Sequence, residues 1–163
     1  MIADSVRQQS IQIFKNIESI FDVVTDGNIG SRIGVFPVWK QLYHLLHSMD
    51  KNWIDPSDYV EPAFHVKNLD IIFLESDTAL DRDTLYRYFI QVRERLETYL
   101  AGLDDAALER KIRFRDLELT GLELILAQFR HIFYHIGYLH CCFKLLHGET
   151  PEYAGLYQAV PEK

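Results

Sequence analysis

The sequence has few cysteines and no long apolar run. Its only two cysteines, Cys141 and Cys142, are adjacent, and neighbouring cysteines rarely pair, so we expect no disulfide framework. No apolar stretch approaches the about 20 residues that a membrane helix needs. The first ten residues, MIADSVRQQS, show no basic stretch followed by an apolar core. We therefore expect no signal peptide, no membrane partner and a cytoplasmic location.

Positive charge is also scarce. The 163 residues include 17 Lys and Arg against 24 Asp and Glu, which gives a formal net charge of -7. Binding to a phosphate backbone needs a basic face, so we expect no nucleic-acid partner. The sequence also lacks a phosphate-cradling glycine loop, a G-x-S-x-G motif and a C-x-x-C motif. These absences exclude the best-marked nucleotide, hydrolase and redox sites.

Helical periodicity runs through most of the chain. We predict one all-α domain over residues 1–163, a four-helix bundle whose long helices cover about residues 4–22, 37–53, 82–101 and 120–147. We expect Asp81 to cap the third helix and Gly102 to end it in a left-handed conformation. Thr120 and Glu123 form a capping-box pattern at the start of the last helix, and Gly148 follows its end.

The connection between the second and third helices is unusually long. It covers about residues 52–81, and we expect a short helix near residues 69–74 within it. Another short helix is predicted in the segment DDAALER. No strand alternation is visible. A connection of this length often covers a functional site, and it favours a threading other than plain up-down-up-down.

Histidines provide the candidate site. His131 and His135 lie four residues apart on the last helix, so both imidazoles project from one face and can share a metal ion. Seven histidines in this length give about 0.3 such pairs by chance, so the spacing alone is a weak signal. His44 lies off the apolar stripe of the second helix, and all three fit a cleft on the flank of the bundle. Solvated surface histidines remain the alternative.

The other histidines have different interpretations. His47 lies one turn after His44 and could replace it, and His65 could reach a cleft from the long connection. His140 and His147 share a face nearly opposite His131, so we expect them to be packing or interface residues. The segment HIFYH lacks the glutamate that a zinc protease uses as general base, and the Glu-x-x-His pairs of di-iron bundles are absent.

Three stretches resemble the DinB/YfiT-like family of metal-binding helical bundles. They are WKQLYHLLHSMD on the second helix, QFRHIFYHIGYL on the last helix and GETPEY after it. The resemblance implies a four-helix bundle threaded up-down-down-up, one divalent metal bound by three histidines, and a homodimer. Carried over to this chain, the metal ligands are His44, His131 and His135. The chain departs from the family pattern at His47, where an acidic residue is frequent, and at Tyr138, where glutamine or glutamate is frequent.

Three neutral imidazoles would leave a divalent ion with its full charge and an open coordination position, and nitrogen ligands favour zinc or nickel. Such an ion can activate water or hold a thiolate. The resembled family includes thiol-dependent transferases and proposed hydrolases, so the resemblance implies a metal-dependent enzyme, a hydrolase or thiol S-transferase, acting on a small molecule or thiol. A non-catalytic dimeric bundle that binds a metal or ligand in a stress or sensing role is the alternative, and a structural protein with surface histidines is a third.

Two further expectations concern the surroundings of the metal. Acceptors that orient the imidazoles should come from Gln128, Asp50, Glu123 and Tyr138. Cys142 lies on the histidine face and could serve as a nucleophile or soft ligand, although a packing role is the stronger interpretation.

Overall fold

The computed structural model describes residues 2–34, 36–76 and 78–155. The predicted single domain over residues 1–163 also includes residues 1, 35, 77 and 156–163, which lie outside the described ones. The described chain is mostly helical, with long helices α1 (Ile2–Val23), α2 (Val38–Asn52), α3 (Arg82–Ala101) and α5 (Gly121–His147) and a short helix α4 (Asp105–Glu109). Within these residues, every helix is too short or too polar to cross a bilayer.

Local capping signals set the ends of the helices. The Asp81 carboxylate accepts a hydrogen bond from the Thr84 amide at 2.7 Å and caps α3. Thr120 and Glu123 form the predicted capping box at the start of α5, which satisfies two amides that the helix itself leaves unpaired. Gly148 ends α5 with a φ of +69°, a conformation that costs glycine little because it has no Cβ. These predicted caps are confirmed.

Aromatic side chains form much of the contact between the long helices. Helices α1 and α2 each pack against both α3 and α5. Trp53, at the end of α2, lies between Phe14 of α1 and Phe129 of α5, with ring centroids 6.0 and 5.3 Å away. Phe21 of α1 stacks on Phe89 of α3 at 5.6 Å. Such pairs contribute about 0.5–1.5 kcal/mol each beyond the area they bury, so they help to fix α2 against α5, where the candidate ligands lie.

Two short hairpins depart from the all-α prediction. β1 (Arg32–Ile33) pairs with β2 (Phe36–Pro37), and β3 (Lys111–Phe114) pairs with β4 (Leu117–Thr120), both antiparallel. In β3 only Ile112 is buried, between exposed neighbours. This alternation covers four residues and is therefore too short to stand out in a mostly helical sequence. The prediction that strands are absent was wrong, whereas the mostly helical character holds.

The long connection contains turns instead of the predicted helix. Its regular element is a 3₁₀ helix at Pro56–Asp58. Residues 69–74 form successive turns, so the short helix predicted there was wrong. Asn68 takes a φ of +67°, which interrupts any right-handed helix just before this segment. Gly102 was also mispredicted: it caps α3 with a φ of -89°, in the right-handed region.

Candidate metal centre

Three imidazoles converge where α2 packs against α5. His44 comes from α2, and His131 and His135 come from successive turns of α5. Their ring centroids are 5.2 Å apart for His44–His131, 4.7 Å for His44–His135 and 4.6 Å for His131–His135. One nitrogen from each ring lies within 4.8 Å of the others. The structure thus brings together the three histidines that the sequence nominated, in a group that could hold one cation.

Hydrogen bonds orient two of the three rings. The Nδ1 of His44 is 2.7 Å from the backbone carbonyl oxygen of Asp70, and the Nδ1 of His135 is 3.2 Å from the side-chain oxygen of Gln41. Both partners are hydrogen-bond acceptors, so each Nδ1 carries the ring proton and is the donor of the hydrogen bond. The Nε2 atoms of His44 and His135 therefore keep their lone pairs, which is the tautomer a metal ligand needs.

The third ring carries a buried nitrogen without a partner. The Nε2 of His131 is shielded from solvent and has no hydrogen-bond partner within the described part of the chain. Buried polar atoms are nearly always satisfied, because an unsatisfied one costs free energy. A cation shared with His44 and His135 would satisfy this nitrogen, so the residues present fit a metal ion.

Burial keeps the imidazoles of His131 and His135 neutral. Burial, with the nearby rings of His44 and His131, lowers the pKa of His135 to about 3. Burial and the ring of His44 also lower the pKa of His131 below its ordinary value. Neutral imidazole is the form that binds metal. At neutral pH His131 and His135 therefore offer nitrogen ligands to a cation without first losing protons.

The acceptors of His44 and His135 differ from those expected. The four candidates from the sequence were Gln128, Asp50, Glu123 and Tyr138, and none of them receives the proton of these two rings. The amide oxygen of Gln128 instead accepts from Ser48 at 3.1 Å, and Asp50 accepts from the Tyr88 hydroxyl at 2.8 Å.

Only one of the two actual acceptors left a signal in the sequence. Gln41 lies three residues before His44, on the same face of α2, so helical spacing could have identified it. Asp70 contributes a backbone carbonyl from the long connection, which no side-chain pattern reveals.

The buried face of α5 is rotated from the apolar stripe that helical spacing predicts, which consists of Leu122, Ile125, Leu126, Phe129, Phe133 and Ile136. Of these, Leu126 is 44% exposed, whereas Leu124, Ile132 and Leu139, which lie off that stripe, are fully buried. His135 is only 5% exposed and lies on this buried side. The histidine face of α5 is therefore packed against α2 and is not a solvated surface.

Two cavities adjoin the histidines. The first, called here the apolar cavity, has a volume of about 640 Å³ and is lined by the three histidines together with side chains from β2, the connection and α5. The second, called here the polar cavity, has a volume of about 450 Å³ and includes Lys51 and Arg115 in its wall. His44, His131 and Asp70 line both, so the candidate centre borders two cavities.

Comparison with known families agrees with this geometry. The model of the DinB superfamily matches residues 15–139, a span that contains all three histidines. The chain belongs to the DinB superfamily. The resemblance predicted from its motifs is thereby confirmed. No curated protein and no solved structure matches this DinB chain.

A second group of ionisable side chains in the DinB chain links α2 to the long connection. His47, Glu61 and His65 also offer ligand atoms within 4.8 Å of one another. However, the Nε2 of His47 is 2.7 Å from a carboxylate oxygen of Glu61, which is a hydrogen-bonding distance. The Tyr43 hydroxyl and the Nδ1 of His65 are 2.5 Å apart. Since these contacts satisfy the group without a metal, we interpret it as a tether for the connection.

The sequence left open whether His47 or His65 replaces His44 as a metal ligand, and the contacts of the tether bear on that question. His47 and His65, each a possible substitute for His44, pair with the connection and do not join His131 and His135. Burial would raise the pKa of Glu61, but hydrogen bonds from His47, Lys51 and Tyr59 outweigh it and lower that pKa to about 2. Burial lowers the pKa of His47. At neutral pH a neutral His47 therefore donates a hydrogen bond from its Nε2 to the Glu61 carboxylate.

The remaining candidates lie outside both groups. Cys142 is buried, and burial raises the pKa of its thiol, which makes it a poor nucleophile and favours the packing role. The Nε2 of His140 is buried without a partner in the described chain, and its ring faces Tyr153. His147 is exposed and contacts Phe143. Neither histidine belongs to the metal-ligand group of the DinB chain.

Proposed function

We propose that this protein is a metal-dependent enzyme, a hydrolase or thiol S-transferase, in which His44, His131 and His135 hold one divalent cation. The observation that carries the proposal is the convergence of three imidazoles, one of which has a buried nitrogen without a partner among the described residues, at the edge of a ligand-sized cavity. All-nitrogen ligation favours zinc or nickel. Bound there, the ion would supply Lewis-acid chemistry to a small-molecule or thiol substrate.

The chain's own contribution is to orient the ligands and shape the cavity. Asp70 and Gln41 orient the His44 and His135 rings by accepting hydrogen bonds from their Nδ1 atoms, which leaves both Nε2 lone pairs for a cation. Three protein ligands leave coordination positions open, as in catalytic sites. The packing of α2 against α5 holds ligands from two helices in one place, which limits the reorganisation needed on binding.

The proposal includes the setting of the enzyme. We place it in the cytoplasm as a homodimer, with its bundle threaded up-down-down-up. Exposed apolar side chains on α5 support association of two copies. They are Leu126, Leu145 and Leu146, which are 40–70% exposed.

A non-catalytic metal- or ligand-binding role is the second candidate, and one observation favours it. Asp70 supplies the one carboxylate among the described residues that line the apolar cavity. Its carboxylate oxygens lie 3.9 Å from ring nitrogens of both His47 and His65. A general base in the cavity would have to be drawn from this group, and a binding protein needs none.

Activity measurements on the zinc- and nickel-loaded protein test the proposal. The substrates are a panel of esters, thioesters and electrophiles with a thiol. We expect turnover that a chelator abolishes, that added metal restores and that His135→Ala lacks. His140→Ala is the matched control, because it removes another α5 histidine from outside the centre, and we expect it to retain turnover. Stoichiometric metal without turnover on the whole panel would favour the binding role and contradict catalysis.

A further inference from the structure

The apolar cavity has the size of a small-molecule site. Its volume of about 640 Å³ lies within the range of about 300–1,000 Å³ that such ligands occupy. One side presents the three histidines. The other sides present aromatic and aliphatic side chains from three different segments, namely Phe36, Ile71, Ile72, Phe73, Tyr134 and Tyr138.

Charge is nearly absent from this lining. Among the described residues that line the apolar cavity, neither lysine nor arginine occurs, and Asp70 is the one acidic residue. Lys40 lines a neighbouring small cavity, and its ammonium donates a hydrogen bond to the backbone carbonyl of Leu74. The cationic side chains Lys51 and Arg115 line the polar cavity and do not line the apolar one. A carboxylate or phosphate in the apolar cavity would therefore meet neither lysine nor arginine among the described residues that line it.

Aromatic side chains remain exposed at the rim. Phe73 is 80% exposed, and its ring meets that of Phe36 edge-on at 5.8 Å. Tyr134, on the α5 side, is 71% exposed. When a ligand removes large apolar side chains around a concave site from water, their burial makes the free energy of binding more favourable.

We infer that the substrate of this site is a neutral small molecule whose aromatic or branched aliphatic body fills the apolar cavity while one polar group reaches His44, His131 and His135. This inference rests on the proposed function, since it names the substrate class of the same centre. It makes Phe73 a specificity-determining residue, because its ring forms the exposed rim against which the apolar body packs.

Binding of three hydroxamic acids to the zinc-loaded protein, measured by calorimetry, tests the inference. All share one metal-binding group: acetohydroxamic acid has a methyl tail, benzohydroxamic acid a phenyl tail and 4-carboxybenzohydroxamic acid an anionic tail. We expect the phenyl tail to tighten binding at least about tenfold over the methyl tail. The added carboxylate should abolish that gain. Equal affinities for the methyl and phenyl probes, or tighter binding of the anionic probe, would overturn the inference.

A variant that inserts a charge at the rim tests whether Phe73 sets the preference for an uncharged phenyl tail. Phe73→Arg changes an exposed side chain, so the fold should tolerate it, and it places a cation at the rim. We expect this variant to lose most of the preference for the phenyl probe over the anionic one. Leu117→Arg is the matched control, since Leu117 is 60% exposed on β4 and lines neither cavity. An equal change of preference in both variants would contradict the role of Phe73.

A metal-free arm separates this inference from the proposed function. Benzamide and 4-carboxybenzamide carry the same tails without a strong metal-binding group. Saturation-transfer NMR on chelator-treated protein should show contact with benzamide and much weaker contact with its carboxylate analogue. If the protein takes up no metal but retains this preference, the metal proposal fails and the assignment of an apolar ligand stands. If neither probe is preferred, the assignment fails whatever the metal content.

Discussion

The Nδ1–H group of His44 donates a hydrogen bond to the backbone carbonyl oxygen of Asp70, 26 residues further along the chain and 2.7 Å away. The long connection thus orients a ring of the candidate metal centre through its main chain. His135 is oriented differently, by the side chain of Gln41 on α2. The two contacts therefore respond differently to substitution.

The first prediction compares these two contacts. Asp70→Asn keeps the backbone carbonyl that His44 uses, so zinc affinity should change little. Gln41→Leu removes the acceptor of His135 and should weaken zinc binding about tenfold or more. Competition with a chromophoric chelator measures both affinities. An equally large loss in Asp70→Asn would show that the carboxylate, and not the carbonyl, supports the centre.

The second prediction concerns pH. Hydrogen bonds from His47, Lys51 and Tyr59, with His65 nearby, lower the pKa of Glu61 from 4.5 to about 2 despite its burial. The folded state therefore resists protonation of Glu61, and the resulting stabilisation is complete above pH 4.5 and lost as the pH falls toward 2. Since this carboxylate is partly exposed, the contribution should be at most about 1 kcal/mol.

Glu61→Gln isolates that contribution. We expect the wild-type protein to have the higher Tm at pH 7, and the difference between the two proteins to shrink between pH 4.5 and pH 2.5. Thermal unfolding followed by circular dichroism at several pH values measures it. A difference in Tm that stays constant down to pH 2.5 is the contrary result.

The third prediction compares two glycines of α5. A Cβ on Gly121 would lie 2.9 Å from the backbone oxygen of Ala107, where the start of α5 meets α4. Gly121→Ala should therefore destabilise the protein by about 1–3 kcal/mol. Gly137 has open space around it, so Gly137→Ala should be neutral or stabilise by up to about 1 kcal/mol. Denaturant unfolding measures the free energy of unfolding of both variants. A Gly121→Ala variant that is more stable than the wild-type protein would contradict the close contact between α4 and α5.

Local signals in the sequence predicted much of the helical framework. The caps at Asp81, Thr120 and Gly148 depend on residues within one turn of the helix end, so they can be identified without knowing the fold. The short hairpins could not be identified from the sequence, because strands of two to four residues are too short to show a clear alternation of apolar and polar side chains. Gly102 shows that a glycine after a helix permits the left-handed conformation without requiring it.

Helical spacing and the family motifs nominated the three candidate ligands, but not their surroundings. The spacing of His131 and His135 is a property of α5 alone, whereas the position of His44 beside them depends on how α2 packs on α5. The carbonyl of Asp70 and the separation of His47 and His65 from the centre depend on the path of the connection. That path is set by turns and by the left-handed Asn68, which periodicity does not encode.

The central claim is that His44, His131 and His135 share one cation. The most direct test is the metal content of the protein after saturation with zinc and removal of excess metal, measured by mass spectrometry with circular dichroism as a check of folding. We predict one zinc per chain in the wild-type protein and in His140→Ala, and none in a folded His131→Ala/His135→Ala double variant. Stoichiometric zinc in the double variant, or none in the wild-type protein, would contradict the claim.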